Sequence, residues 1–246
     1  MKGIIEVLIS IYLIPLRWSN RLAIYVKGKI LTFDEHYIAT IDVARREFSK
    51  DEGIIVDVGA YDADSSIYFA KAFPDRKIVA LEPNPEPYNS AIKNTRRYKN
   101  IELLNIGLSN AVGQADFFIT TDLVSSSLLD PKLKAEARFK AKLRVEVTTL
   151  DTLFHDTKHI LLIKLDVQGA ELNILRHGTK SLSKTRLVLT EMWNSDMYHG
   201  SCQYNELDDL LRANGIQLHS LFSNYNNDGA KYFDALYINR SLSRVN

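Results

Sequence analysis

Ile54-Ile-Val-Asp-Val-Gly-Ala-Tyr-Asp62 and Ile78-Val-Ala-Leu-Glu-Pro-Asn-Pro85 decide the fold. Each is a short apolar run that stops abruptly at polar or turn residues, as a strand buried on both faces of a parallel sheet does. The first ends at Asp57 and Gly59; the second, 25 residues after Asp57, ends at Glu82. A carboxylate at that distance, on the tip of the next strand, can accept hydrogen bonds from both hydroxyls of a ribose. The pair implies a site for a nucleoside.

The loop between them addresses which nucleoside. A dinucleotide site needs Gly-x-Gly-x-x-Gly, so that bare backbone can approach a pyrophosphate at a helix N-terminus. Here the loop reads Gly59-Ala60-Tyr61-Asp62-Ala63-Asp64, with one glycine and, counting Asp57, three nearby carboxylates. Those carboxylates repel a pyrophosphate and suit a ligand with a cationic end, such as the ammonium and sulfonium of S-adenosylmethionine. Charge sign favours a methyl donor over NAD.

Outward from this pair the chain alternates. Strand 54–58 precedes a helix over 65–72, with Asp64 or Ser65 as N-cap and Pro74 as its stop. Strand 77–81, helix 87–97 and strand 101–106 follow, then strand 160–165, helix 170–176 with Gly178 as C-cap, strand 186–190 and helix 206–213. Strands 217–222 and 232–239 close the order as an antiparallel edge pair. Such alternation predicts an α/β doubly wound, mostly parallel Rossmann-like sheet. An insert over about 111–150 interrupts it, with strands 115–120 and 143–149 around a lysine-rich helix near 131–141, lying over the sheet's carboxyl edge or its flank.

Residues 1–50 form an N-terminal extension before a domain of 51–246, and its apolar run Ile4 to Leu16 predicts a helix. Thirteen residues with Glu6 among them are too few to span a bilayer, and no small-residue cleavage site follows. The helix is expected to pack on the domain, join a homodimer, or lie on a membrane surface. The 246-residue chain carries a formal net charge of +1, against a nucleic-acid partner. Its single cysteine, Cys202, excludes an internal disulfide and fits a cytoplasmic location. No His/Cys cluster has zinc-ligand spacing.

Asp57-Val-Gly-Ala-Tyr-Asp-Ala-Asp-Ser-Ser66, Glu82-Pro-Asn-Pro85, Asn105-Ile-Gly-Leu-Ser-Asn110 and Ile163-Lys-Leu-Asp-Val-Gln-Gly-Ala-Glu-Leu172 resemble the FkbM-type family of S-adenosylmethionine-dependent methyltransferases. The similarity runs from about 50 to 240, and the Lys-x-Asp-Val-x-Gly-Ala-Glu block is its most specific part. It implies a seven-stranded class I fold and methyl transfer, commonly to a hydroxyl oxygen of a sugar, glycan or small molecule. Two positions depart from the family pattern: Ala63 stands where a second glycine is usual, and Gln168 where a glutamate is usual.

Site roles follow from motif and resemblance together. Gly59 and Ala60 supply backbone beneath the methionine part of the cofactor, Asp57 reaches its ammonium directly or through water, and Tyr61 walls it. Ser65 and Ser66 are caps first and ligands second. Glu82 takes the ribose, with Pro83 and Asn84 shaping the floor beside it. Asn105 and Ile106 flank the adenine, the one by hydrogen bonding and the other by packing. Asp166 orients the donor methyl, acts as general base for an acceptor hydroxyl, or joins Glu191 in a weak Mg2+ site. Glu191 is a second acid, Glu171 a helix cap or a third, and Lys164 pairs with a carboxylate inside the site. His199, then His36, are the histidines with access to act as base. The rival readings are an NAD(P)-dependent oxidoreductase and a non-catalytic binding or assembly subunit.

Overall fold

The computed structural model describes residues 12–15, 21–26, 29–132, 139–194, 198–223 and 232–242, with backbone alone over 12–34. The first described elements are strands β1 (Tyr12–Pro15), β2 (Arg21–Val26) and β3 (Lys29–Asp34), an antiparallel meander in the order β1-β2-β3, followed by helix α1 (Glu35–Glu47). The helix expected over 4–16 is therefore corrected at 12–15, where the chain is strand; 4–11 lie outside the described residues. β-branched and aromatic residues in Leu22-Ala-Ile-Tyr-Val26 and Ile30-Leu-Thr-Phe33 favour pleated pairing, which a reading focused on the apolar run overlooked.

The main sheet contains β4 (Ile54–Val58), β5 (Ile78–Leu81), β6 (Ile101–Leu104), β10 (Ile160–Leu165), β11 (Thr185–Trp193), β12 (Ile216–Ser223) and β13 (Tyr232–Asn239). Their order is β12-β13-β11-β10-β4-β5-β6. β13 alone runs against the rest, pairing antiparallel with both β11 and β12. This is the expected class I methyltransferase layout. From β4 the chain winds outward through β5 to β6, then returns to β10 on β4's other side. The order thus reverses between β4 and β10, and an open α/β sheet leaves a crevice at the carboxyl ends of such a pair.

Helices α2 (Asp64–Ala72), α3 (Pro85–Thr95), α4 (Leu150–Leu153), α5 (Glu171–Arg176), α6 (Thr179–Leu182) and α7 (Tyr204–Ala213) cover the sheet. Every residue of β10 and β11 is buried, which explains the apolar runs over 160–163 and 187–189 within them. Alternate strand residues build two cores. Val56, Val58, Ile163 and Leu165 face Leu172, Ile174, Leu207 and Leu211 from α5 and α7. Ile55, Leu162, Leu187 and Leu189 face Phe69 of α2, Val43 and Ala44 of α1, and Phe48 just after α1. α1 therefore shares the core of the domain expected to begin at residue 51.

The insert holds β7 (Gly107–Leu108), β8 (Gly113–Thr120) and β9 (Phe139–Thr148), in the order β7-β9-β8, around Phe117, Ile119, Val145 and Val147. The helix expected near 131–141 is strand from 139 on, and 133–138 lie outside the described residues. Gly178 does not cap α5 through a left-handed backbone. Its φ is −124° and His177 holds the C-cap. An added Cβ at 178 would stand 2.6 Å from Leu150 Cδ2, so close packing requires the glycine. Among the described residues no helix is long and apolar enough to cross a membrane.

Candidate functional site

A cavity of about 400 Å³ opens at the carboxyl ends of β4, β5 and β10, where the strand order reverses. The turn after β4 is its floor. Gly59 sits at φ +75°, and a Cβ there would come within 1.9 Å of the Asp166 carbonyl oxygen. The N–H groups of Gly59 and Ala60 both donate to the Leu81 carbonyl, at 3.1 and 3.0 Å. One glycine thus lets three strand ends converge. Gly59, Ala60 and Tyr61 all line the cavity.

Glu82, on the tip of β5, also lines it and is otherwise buried. Its Oε2 accepts from the Tyr61 N–H at 3.0 Å and its Oε1 from the Asn84 N–H at 2.7 Å. Each oxygen keeps a second acceptor position, so the carboxylate is oriented but not saturated. Burial pushes its pKa up to about 7, against the opposing pull of those two N–H donors. Pro83 and Ile106 stand on the wall as expected. Asn84 caps α3, its Oδ1 accepting from the Glu86 N–H. Asn105 departs from expectation: it is absent from the cavity lining, and its Nδ2 donates to the carbonyls of Glu82 and Pro83. It fixes the loop that carries Glu82.

Asp57 is wholly buried behind the wall, and the expectation that it reaches a ligand ammonium directly is corrected. Its Oδ2 accepts from the hydroxyls of Ser65 and Ser66, each at 2.6 Å. These serines are therefore not caps; the N-cap position of α2 is Ala63, at φ +70° with no side-chain hydrogen bond. Asp57 Oδ1 lies 3.3 Å from Lys164 Nζ but accepts no hydrogen bond. Register explains the meeting, because Asp57 and Lys164 are direct partners across β4 and β10. Lys164 also donates to the Gly59 carbonyl at 3.0 Å and lies 3.7 Å from Asp166 Oδ2. Burial works against its charge, but the facing Asp57 more than offsets this and its pKa goes up. Lys164 thus softens the acidic character that the sequence alone assigns to this loop.

The end of β10 carries the second constellation. Gln168 Nε2 donates to Asp166 Oδ1 at 2.9 Å and to Glu191 Oε2 at 3.0 Å. Its Oε1 accepts from the Tyr198 hydroxyl at 3.0 Å, and that hydroxyl also lies 2.8 Å from the Ser125 carbonyl. Ser127 Oγ reaches the Gln168 carbonyl at 2.9 Å, and Glu171 Oε1 accepts from the N–H groups of Val167 and Gly169. Glu171 is therefore a brace for its own loop, and burial raises its pKa to about 7. Glu191 is buried, with its pKa raised by burial and then by Asp166. Asp166 lines the cavity with a 42% exposed side chain. The Mg2+ weighed for Asp166 and Glu191 finds no support: an amide nitrogen stands between the two carboxylates. Among the described residues no group of three or more His, Cys, Asp or Glu could hold a metal.

His199 is exposed and absent from the cavity lining, so the structure does not bring the expected base to the site; its N–H bonds the Asp130 carbonyl. His36 pairs with Asp234 at 3.5 Å. Sequence reasoning missed Tyr37 and Tyr68, which line the cavity from α1 and α2, and Phe117, Leu123 and Leu128 from the insert. The period-two burial of Phe117 and Ile119 is a readable signal for an inward face, but nothing local says which cavity that face closes.

The sequence pattern of the methyltransferase FkbM domain matches residues 57–218, well over half the chain. The protein belongs to the FkbM methyltransferase family. Its relatives include the 2-O-methyltransferase NoeI of Sinorhizobium fredii, 28% identical over 176 residues that cover 66% of this chain and 72% of that protein. The methyltransferase sdnD of Sordaria araneosa is 28% identical over 170 residues, 56% of this chain and 66% of that one. Among solved structures, the magnesium protoporphyrin IX methyltransferase of Synechocystis aligns with a TM-score of 0.46 at 9% identity, over 82% of this chain and 79% of that one.

S-adenosylmethionine fits the FkbM site on its own geometry. The Gly59 turn lets the ends of β4 and β10 close up beneath the cavity, and Glu82 presents two oriented oxygens with acceptor positions to spare. The cavity volume lies within the range of small-ligand sites, roughly 300–1,000 Å³.

Proposed function

We propose that this methyltransferase methylates a hydroxyl oxygen of a small-molecule or carbohydrate acceptor, with Asp166 as the residue that receives the acceptor. The observation that carries the reading is the setting of Asp166. It abuts the Gly59 turn through its backbone, one carboxylate oxygen is held by Gln168, and the half-exposed side chain faces the cavity. The 2-O-methyltransferase relative supports oxygen as the acceptor atom.

Glu82 would hold the ribose hydroxyls, Gly59 and Ala60 the backbone side of the methionine moiety, and Ile106 one face of the adenine. When bound, S-adenosylmethionine supplies an activated methyl: the C–S bond breaks with its electron pair left on sulfur as the C–O bond forms. Asp166 accepts the hydroxyl's hydrogen bond, aligns the oxygen, and takes the proton the reaction releases. Lys164 keeps Asp57 and Asp166 from repelling each other during this step. We assign α1 to the catalytic unit, since Tyr37 lines its cavity.

Calorimetric titration with S-adenosylmethionine tests the reading, beside Glu82→Ala and a panel of neutral glycosides and hydroxylated small molecules scored by S-adenosylhomocysteine release. Micromolar binding, weakened at least about tenfold in the variant, is expected because two charge-assisted hydrogen bonds are lost. Turnover on one panel member should vanish in Asp166→Asn. Binding without turnover on any acceptor favours a binding subunit. No binding by the folded wild type refutes the donor site, and NADH binding in its place would restore the oxidoreductase.

A further inference from the structure

We infer that this site discriminates by charge between methyl donor and demethylated product, with Asp166, as set by Gln168, serving as counter-ion to the sulfonium. The inference rests on the donor-site reading above and goes one step beyond it. Transfer turns a sulfonium cation into a neutral thioether, while the rest of the cofactor keeps its shape. A cavity with surplus negative charge therefore favours donor over product, and an uncharged or balanced one does not.

The described lining has that surplus. Asp62, Asp64, Glu82 and Asp166 face the cavity, and Lys164 is its only described cationic residue. Lys164 is already engaged with the Gly59 carbonyl and with Asp57, and lies further off, at 3.7 Å, from Asp166 Oδ2, so one cation answers several acids. Asp57 behind the wall adds a further negative charge that Lys164 answers first. Of these acids Asp166 is the one whose backbone oxygen a Cβ on Gly59 would strike, so it stands beside the turn that carries the methionine end. Gln168 makes the arrangement possible. Its amide hydrogens satisfy one oxygen each of Asp166 and Glu191, so the pair need not share a proton to stay close. Its backbone adopts φ +57°, a conformation unfavourable for a residue with a Cβ. Here the side chain is tied from Tyr198 and the main chain from Ser127.

A unit charge near a half-exposed carboxylate is worth on the order of a tenfold affinity difference. The test is titration of the full chain with S-adenosylmethionine, S-adenosylhomocysteine and sinefungin, whose amine restores the cation without a transferable methyl, at low and high salt. The expected result is that both cations bind about tenfold more tightly than S-adenosylhomocysteine. Asp166→Asn should collapse that ratio towards one while leaving S-adenosylhomocysteine affinity within about threefold. Gln168→Glu removes the amide donor shared by Asp166 and Glu191, forces the carboxylates to share a proton, and should lower the ratio. Product binding as tight as the donors in the wild type, or a ratio that survives Asp166→Asn, overturns the inference and leaves the donor site standing. Failure of all three ligands to bind overturns both.

Discussion

The two ends of the central strands each bury an ion pair, and the pairs are built to opposite purposes. At the amino edge Arg186 Nε meets Asp51 Oδ2 at 2.6 Å, both side chains are buried, and the guanidinium lies over the Phe48 ring. The remaining Asp51 oxygen accepts from the Gly53 N–H. One charge answers one charge. At the carboxyl edge Lys164 faces both Asp57 and Asp166, while Glu82, Glu171 and Glu191 crowd around with pKa values raised by burial. An excess of buried acid is costly in a free protein and useful where a ligand brings cationic charge or hydroxyl donors. The difference separates a lock from a site: one edge is closed by charge balance, and the other is kept short of it.

If that contrast holds, breaking the lock should cost stability alone. Asp51→Ala strands the Arg186 guanidinium in the protein interior and should lower unfolding free energy by about 3–5 kcal/mol. Urea unfolding reads the loss. S-adenosylmethionine affinity of the fraction that folds should match the wild type, and a large drop would mean that the two edges are coupled through the strands.

Gly59→Ala attacks the other edge and should damage both properties at once. The new Cβ meets the Asp166 carbonyl, and the residue keeps a left-handed φ. Relief requires β4 and β10 to separate at their ends, at a cost of about 3 kcal/mol from overpacking and backbone strain together. Cofactor affinity should fall at least tenfold beyond what partial unfolding explains, roughly the cost of one misplaced charge-assisted contact.

Glu82 gives the carboxyl edge a pH signature. Its folded pKa stands near 7, above the ordinary 4.5, so the folded protein binds the extra proton in that window. The stability it contributes is complete below about pH 4.5 and is lost as pH rises through about 7, and Glu171 adds to the same slope. Ribose hydroxyls want the ionised form, so affinity runs the other way. S-adenosylmethionine should bind roughly tenfold more tightly at about pH 8 than at about pH 6, releasing a proton in between. Glu82→Gln should bind weakly with no pH slope. Calorimetry in buffers of different ionisation enthalpy checks both statements.

Much of this frame is legible in the chain because buried parallel strands advertise themselves. Ile54–Val58 and Ile160–Leu165 fall where their apolar runs begin and end. Glu82 is legible because spacing from the first strand places it. What the sequence conceals is lateral. Asp57 points back to Ser65, Ser66 and Lys164, and Asn105 reaches back to the Glu82 loop; only strand register and turn geometry decide such directions. Tyr198 carries no local signal that sets it apart from His199, yet the backbone turns the tyrosine inward and the histidine out. The N-terminal meander is hidden for a different reason: an apolar run fits a helix and a strand equally well when partners are out of view.

The smallest expected effect concerns Ala63, the residue that stands where the family resemblance leads one to expect a second glycine. The structure gives it φ +70° and full burial at the head of α2, between the Gly59 turn and the serines that hold Asp57. A Cβ in the left-handed region costs roughly 1–2 kcal/mol, and the unfolded chain would gain part of that back through the greater freedom of glycine. Ala63→Gly should therefore stabilise the protein by about 0.5–1 kcal/mol in urea unfolding. Since α2 carries Ser65 and Ser66, relaxing its first turn should leave Asp57 held as before and change cofactor affinity less than about twofold. A destabilised variant would show that the methyl group's packing outweighs its strain. The same residue would then belong with the tightly filled amino edge rather than with the strained turn of the site.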